Sequence, residues 1–340
     1  APTVDSQGPY SGNEGTIVDF TAIGYDEGTD DLTFDWDWGD GTSQTSTTHF
    51  FNGVSEDPYP SPEGSFPIVV YDHVQHSYGD NGVYTISLTI IDDDGGSNTV
   101  HTTMTVNNVA PAVNHGGPYT GNEGTTISFT SAIRDLGTDD IQFTWNWGDG
   151  TTNTVSMHYH NGVGPDPPQS PYGLYPTDVI DGQTHKYGDN GVYTLTLTVR
   201  DDDGGVTVVT TTVTVSNVAP EVTPEGPYFG DEGIEMDFEG IAQDLGTDDL
   251  QFTWNFGDGS STITTMYYHN GNSPDPPQSP FGSYPTTKID RVHHTYGDNG
   301  VYTITLRVVD DDGGATTVYT TATVGNLNPV IRIDMITISN

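Results

Sequence analysis

No cysteine occurs in the chain, so no disulfide framework holds it together. Basic side chains are almost as scarce. Seven Lys and Arg stand against 48 acids, a formal charge of -41 over 340 residues. A phosphate-binding stripe cannot be assembled from Arg134, Lys186, Arg200, Lys288, Arg291, Arg307 and Arg332, which excludes nucleic acid as a partner. No run of 18 apolar residues is present, so no membrane insertion is expected in this segment. A signal-peptide pattern is missing too: the chain opens Ala1-Pro2, as expected of a processed product or of part of something longer. No Asn-x-Ser/Thr sequon occurs, so sequon-directed glycosylation is not expected.

What the chain does have is Asp, Gly, Pro and aromatics. Only ten of the acids are Glu and 38 are Asp. An acidic disordered tail would lack aromatics, whereas 19 Tyr, 12 Phe and five Trp imply a folded chain. Asp forms helices poorly but serves well in turns and as a calcium ligand, so the bias points to loops that hold hard cations. Adaptation to high salt explains the same acidity, and the two readings are compatible. The 42 Gly and 22 Pro point to many turns on a Thr-, Val- and Tyr-rich background suited to strands.

The heptapeptide YGDNGVY occurs at Tyr78–Tyr84, Tyr187–Tyr193 and Tyr296–Tyr302. Gly8-Pro9-Tyr10 returns at Gly117 and Gly226, Gly39-Asp40-Gly41 at Gly148 and Gly257, and Asp92-Asp93-Asp94-Gly95-Gly96 at Asp201 and Asp310. Every one of these keeps an offset of 109 residues, without insertion or deletion. The chain is therefore a tandem array of three copies of one domain, over residues 1–110, 111–219 and 220–328, followed by a short segment 329–340.

Each copy reads as all-β. Val18, Phe20 and Ala22 alternate along one strand. Leu32, Phe34, Trp36 and Trp38 alternate along another, with Thr33, Asp35 and Asp37 facing away. Tyr84, Ile86, Leu88 and Ile90 mark a third strand, and Val100, Thr102, Met104 and Val106 a fourth. Period two with polar opposites gives each strand one buried face, and two such sheets packed together give a β-sandwich with an aromatic core. Gly39 and Gly41 supply the positive φ that a tight turn after the Trp strand needs.

The stretch LTFDWDWGDGT followed by HSYGDNGVYTISLTIIDDDGG resembles the PKD (polycystic kidney disease) domain family. IQFTWNWGDGT with HKYGDNGVYTLTLTVRDDDGG, and LQFTWNFGDGS with HTYGDNGVYTITLRVVDDDGG, repeat the match across nearly all of the first 329 residues. The resemblance implies tandem immunoglobulin-like β-sandwiches forming an elongated rod. It also implies an extracellular or cell-surface setting and roles in spacing, adhesion, and protein or polysaccharide contact rather than catalysis. Between the GDG turn and the His-x-Tyr, each copy departs from the family by roughly twenty extra residues. Pro167-Pro168 and Pro276-Pro277 stiffen this insertion, and Tyr159, Tyr172, Tyr175, Tyr267, Tyr268, Phe281 and Tyr284 give it apolar substance, so an ordered surface lobe is expected.

Calcium is the cofactor the loops suggest. In an immunoglobulin-like sandwich three acidic connections can gather at one end, within the six to eight oxygen ligands calcium takes. The candidates are Glu14, Asp26, Asp30, Asp92 and Asp94 in the first copy, and Glu123, Asp135, Asp139, Asp201 and Asp203 in the second. Glu232, Asp244, Asp248, Asp310 and Asp312 complete the set in the third. The resemblance supports this, since PKD domains of some bacterial collagenases bind calcium near their loops. The bland alternative is that these Asp residues cap turns. EF-hand and nonapeptide calcium arrays lack the required spacing here. No His pair persists across the copies: His158 and His160 become Tyr267 and His269, or His49 and Phe51, which argues against zinc. His76, His185 and His294 match the family's His-x-Tyr, whose ordinary role is a structural hydrogen bond. No Ser-His-Asp order or G-x-S-x-G elbow is present. PDPPQSP contains a formal P-x-x-P, read here as stiffening rather than as a ligand motif.

The junctions NNVAPAV and SNVAPEV are short and contain proline, so a stiff rod is expected, on the order of 100 Å or more at ~3.3 Å per strand residue. The last residues, VIRIDMITISN, read as a strand: the start of a further domain, or a strand that complements a neighbouring subunit. The function expected is a non-enzymatic, calcium-stabilised extracellular structural repeat protein, a spacer, surface-layer or filament element. Its partners would be other copies of itself, neighbouring surface proteins or polysaccharide. The alternative is an accessory polysaccharide- or protein-binding module of a secreted hydrolase.

Overall fold

A computed structural model describes residues 1–51, 64–151, 154–160, 164, 173–260, 263–269 and 282–329. Pro167-Pro168, Tyr172, Pro276-Pro277, Phe281 and the C-terminal strand expected from residue 330 onward lie outside these residues. In the first copy the strands are β1 (Thr3–Asp5), β2 (Tyr10–Asn13), β3 (Val18–Asp26), β4 (Leu32–Asp37), β5 (Ser43–His49), β6 (Ile68–His76), β7 (Gly82–Asp92) and β8 (Ser97–Asn107). They form a three-stranded sheet, β1-β3-β6, and a five-stranded sheet, β2-β8-β7-β4-β5, and the other two copies repeat both orders. All neighbours are antiparallel except β2 and β8, which pair in parallel from Tyr10↔Met104 to Asn13↔Asn107.

The alternation read from the sequence is the alternation of burial. Phe20 and Ala22 face Leu32, Phe34, Trp36, Trp38, Ile86, Leu88 and Ile90 across the gap between the sheets, all essentially inaccessible. Trp36 and Trp38 stack at 5.2 Å. A tryptophan this deep must satisfy its N–H. Trp36 Nε1 donates across the gap to Asp72 Oδ2 on β6 at 2.9 Å, and the equivalent bonds from Trp145 to Asp181 and from Trp254 to Asp290 are both 2.7 Å. Trp145→Phe removes that donor while keeping an aromatic ring, leaving the buried Asp181 short of a partner. The expected cost is about 1–3 kcal/mol, read as a lower denaturant midpoint at unchanged slope.

His76 plays the structural part expected of it. Its ring lies flat on Trp38 at 4.6 Å and its Nε2 meets Asp40 Oδ2 at 2.8 Å, and His185 and His294 repeat the arrangement. Burial works to raise the Asp40 carboxyl, but hydrogen bonds from His76 and Thr42 outweigh it and hold Asp40 below the usual carboxylate range. No helix among the described residues is long and apolar enough to cross a membrane.

Candidate metal centre at the joints

The constant heptapeptide does two jobs. Inside each sandwich Tyr78 Oη donates to the Trp38 carbonyl at 3.1 Å and Tyr84 Oη to the Asp80 carbonyl at 2.8 Å, closing the core beneath the turn. Between them, Gly79 and Asp80 face the next sandwich. Thr138 N donates to the Gly79 carbonyl, and Thr247 N to that of Gly188, both at 2.8 Å across the joint. The ring of Tyr175 packs so close to Gly79 that an added Cβ would come within 2.8 Å of it, and Tyr284 does the same at Gly188, at 2.9 Å. Tyr175 Oη also donates to the Ser77 carbonyl at 2.9 Å. The equivalent Gly297 of the third copy meets nothing within 4 Å, and the equivalent of Tyr175 in the first copy, Phe66, is 71% exposed. Part of the enlarged lobe is therefore spent on the preceding sandwich rather than on solvent.

Glu14 follows β2 and projects into the same joint. A shared end for Glu14, Asp26, Asp30 and Asp92 is corrected by the strand order. Because β2 lies parallel beside the C-terminal end of β8, Glu14 sits at one end of β8, while Asp92, the last residue of β7, and Asp94, in the turn after it, sit at the other end. The ten steps along this eleven-residue strand separate the ends by roughly 33 Å at ~3.3 Å each. Asp26, Asp30 and Asp92 do come together, with carboxylate oxygens mutually within 4.8 Å, on the outer face of the first sandwich. There the Ala1 amino group lies 3.7 Å from Asp92 Oδ2, and Asp94 adds only its charge from the exposed turn. Burial and the charges of Asp26 and Asp92 push Asp30 up to about 6.

Glu14 instead joins the acids of the second copy. Glu14, Asp80 and Asp139 form one group within 4.8 Å, Asp135, Asp139 and Asp201 a second, and Asp139, Asp202 and Asp203 a third, all sharing Asp139. The next joint repeats this with Glu123, Asp244 and Asp248, and Asp310, Asp311 and Asp312 act on the same carboxyls. Gly15 permits the approach. Its φ of +65 suits glycine, and an added Cβ would sit 2.1 Å from the Leu136 carbonyl oxygen, the same distance as for Gly124 against Leu245. Glu232 lies at the far end of the third sandwich, where its Oε1 accepts from Leu327 N at 2.9 Å.

Glu14, Asp135 and Asp201 each spend one oxygen on a turn or on the linker and leave the other without a partner. Glu14 Oε1 accepts from Val109 N in the linker at 2.6 Å, Asp135 Oδ1 from Gly137 N at 2.8 Å, and Asp201 Oδ1 from Gly205 N at 2.6 Å and Asn108 Nδ2 at 3.1 Å. Their second oxygens, Glu14 Oε2, Asp135 Oδ2 and Asp201 Oδ2, together with Asp139 Oδ2, are buried and unpaired. The same four are orphaned at the other joint: Glu123 Oε2, Asp244 Oδ2, Asp248 Oδ2 and Asp310 Oδ2. Turn capping accounts for the first oxygen of these acids and not for the second.

The electrostatic cost is visible in the acids themselves. Burial first, then the charges of Asp135, Asp203 and Asp80, push Glu14 up to about 8 against the pull of the Val109 hydrogen bond. Burial and the neighbouring carboxylates push Asp139 to about 10 and Asp135 to about 6, and Glu123, Asp248 and Asp244 match them at about 8, 10 and 6. An oxygen-only donor set, buried and anionic, suits a hard divalent cation such as calcium. Sequence reasoning missed Asp80, which groups with Glu14 and Asp139, and its equivalent Asp189, whose charge acts on Glu123. Both lie inside the invariant heptapeptide, where constancy does not set them apart from its core tyrosines.

Paired sheets of three and five strands, three times in series, define a tandem array of immunoglobulin-like β-sandwiches. The sequence profile of the PKD domain matches residues 3–106, 112–215 and 221–323, and the chain belongs to that family. PKD domains occur in extracellular and secreted proteins and are typically non-catalytic. A collagenase, ColA of Bacillus cereus, is 33% identical over 104 residues, which are 30% of this chain and 8% of the collagenase. Among solved structures, the PKD domain of an M14-like peptidase from Thermoplasmatales archaeon SCGC AB-540-F20 is 18% identical. That match covers 32% of this chain and 99% of that one, at a TM-score of 0.23. A tetra-tandem repeat from the extending region of a large adhesion protein is 11% identical, covering 95% of this chain and 74% of that one, at a TM-score of 0.40.

Proposed function

We propose that this chain is a non-catalytic extracellular structural protein: a calcium-stabilised spacer that sets distance within a surface layer, filament or adhesive assembly. The observation that carries the reading is where the repeat's most constant features are used. The heptapeptide, the glycine after β2 and the lobe tyrosines Tyr175 and Tyr284 are committed to contacts between successive sandwiches. A protein that conserves its own joints from copy to copy is built to hold its domains in register.

A second reading, an accessory module that holds polysaccharide or protein for a hydrolase, is favoured by the collagenase relative and by the exposed lobe aromatics Tyr159 and Tyr268. Small-angle X-ray scattering on the wild type and on Tyr175→Ala separates the two. A spacer gives a rigid elongated profile in calcium that Tyr175→Ala loosens at the first joint. A profile of independently tumbling domains in the wild type with calcium present, together with co-sedimentation on insoluble collagen or polysaccharide, would favour the accessory module.

A further inference from the structure

Calcium bound within a single sandwich would stabilise that sandwich and leave the joint to the lobe. The geometry points to something different. We propose that each joint holds a calcium ion bound from both sides, with Glu14 of the first sandwich closing a site on Asp135, Asp139 and Asp201 of the second. Glu123 closes the equivalent site on Asp244, Asp248 and Asp310. The ion is then a cross-link between domains, and ambient calcium sets how stiff the array is. This rests on the spacer reading above and adds the means by which that spacer is switched.

Three observations converge on it. The four acids of each joint are at least nine-tenths buried, with exposures of 0, 0, 3 and 6% for Glu14, Asp135, Asp139 and Asp201. Each leaves one buried oxygen without a hydrogen-bond partner, so the joint offers four carboxyl donors that become anionic together when a cation displaces their protons. The orphan oxygen of Glu14 belongs to the preceding domain, and its other oxygen is tied to the linker through Val109 N. An ion held by Glu14 Oε2 therefore couples to the end of one sandwich, to the connecting peptide and to the face of the next. The Asn108 side chain, bonded to Asp201 Oδ1, ties the linker to the receiving face as well. All of this recurs at the second joint through Glu123, Val218 and Asn217.

The chain supplies few alternatives for neutralisation, with seven Lys and Arg in all. Calcium takes six to eight oxygens at 2.3–2.6 Å in a flexible arrangement, which four carboxylates can begin to satisfy with neighbouring carbonyls and water. Magnesium demands a tighter octahedron and keeps its water, so it should compete poorly in a site closed by two domains.

The test is a calcium titration of the full chain by calorimetry, with scattering on the same samples, comparing wild type with Glu14→Gln/Glu123→Gln. Glutamine keeps the shape and can still accept from Val109 N. The expected result is calcium affinity reduced tenfold or more at two sites per chain, and loss of the calcium-dependent stiffening seen in the wild type. In calcium-free buffer the variant should unfold at the same temperature as the wild type or higher, because glutamine keeps the bond from Val109 N and its amide N–H can donate to a neighbouring unpaired carboxyl oxygen; a glutamate with only a structural role would not behave this way. Unchanged affinity and stoichiometry in the variant would place the ion within single sandwiches and overturn the cross-link, leaving the spacer reading intact. A wild type that stays rigid while binding no calcium up to millimolar concentration would also overturn it, with the lobe contacts then holding the joints unaided.

Discussion

Stripping divalent cations from the protein at neutral pH and low ionic strength is expected to lower its thermal midpoint by on the order of 10 °C, and millimolar calcium should restore it. A ligand that binds only the folded chain stabilises it by mass action, about 2.7 kcal/mol at a concentration one hundred times Kd. For a domain near 100 residues each kcal/mol is worth roughly 4–8 °C. The joint acids have most to gain, because their folded state carries carboxylates that are buried beside each other with an oxygen each unpaired. Differential scanning calorimetry in chelator, in calcium and in molar potassium chloride distinguishes the causes. Recovery in potassium chloride equal to that in calcium would assign the acidity to salt adaptation and reduce the joint acids to turn caps.

The sign of the pH dependence should invert with calcium. In cation-free protein, Glu14 ionises near 4.5 when unfolded but holds its proton to about 8 when folded. Between those values the folded chain binds more protons than the unfolded chain, so stability falls as pH rises through the window. Asp139 and Asp248, pushed to about 10, extend that window upward, and Glu123 doubles the Glu14 contribution. Each proton of difference is worth about 1.4 kcal/mol per pH unit, so cation-free protein should be markedly more stable at pH 5 than at pH 8. With calcium saturating, the same acids are held ionised and protons compete with the metal, so stability should rise from pH 5 to pH 8. Unfolding midpoints at the two pH values, with and without calcium, give four numbers. A cation-free protein more stable at pH 8 would show that these carboxyls are not buried in solution as they are in the structure.

The sandwich was legible because period two and the 109-residue offset are both one-dimensional signals. The Trp strand, the glycine turn after it and the structural histidine follow from residues no more than a few positions apart. Residue type also marked the acids: Glu14, Asp135, Asp139 and Asp201 stand out as acids in turns. Their grouping did not follow, since it depends on β2 running parallel to β8, a pairing between residues some 94 apart that places Glu14 at the opposite end from Asp92. It depends as well on the short linker delivering the next domain's face to that end. Tyr175 shows the same limit. Its size and its setting among prolines gave the expectation of an ordered lobe, whereas its partner, Ser77, is 98 residues away in another sandwich. Asp80 was hidden for a different reason: in a heptapeptide repeated whole, every position is equally constant, and nothing separates the two core tyrosines from the acid that faces outward.

The parallel pairing of β2 with β8 has a mechanical consequence. β2 lies near the start of each sandwich and β8 is its last strand, so tension applied along the chain draws them in opposite directions along their common axis. Their hydrogen bonds, between Tyr10 and Met104 through to Asn13 and Asn107, are then strained together in shear rather than opened one after another. Single-molecule pulling should register three rupture events of similar and high force, one per sandwich, and Ser11→Pro, on this short strand, should weaken the first alone. The topology that carries Glu14 to the joint is thus also the one that lets each domain bear a pull along the array without unravelling.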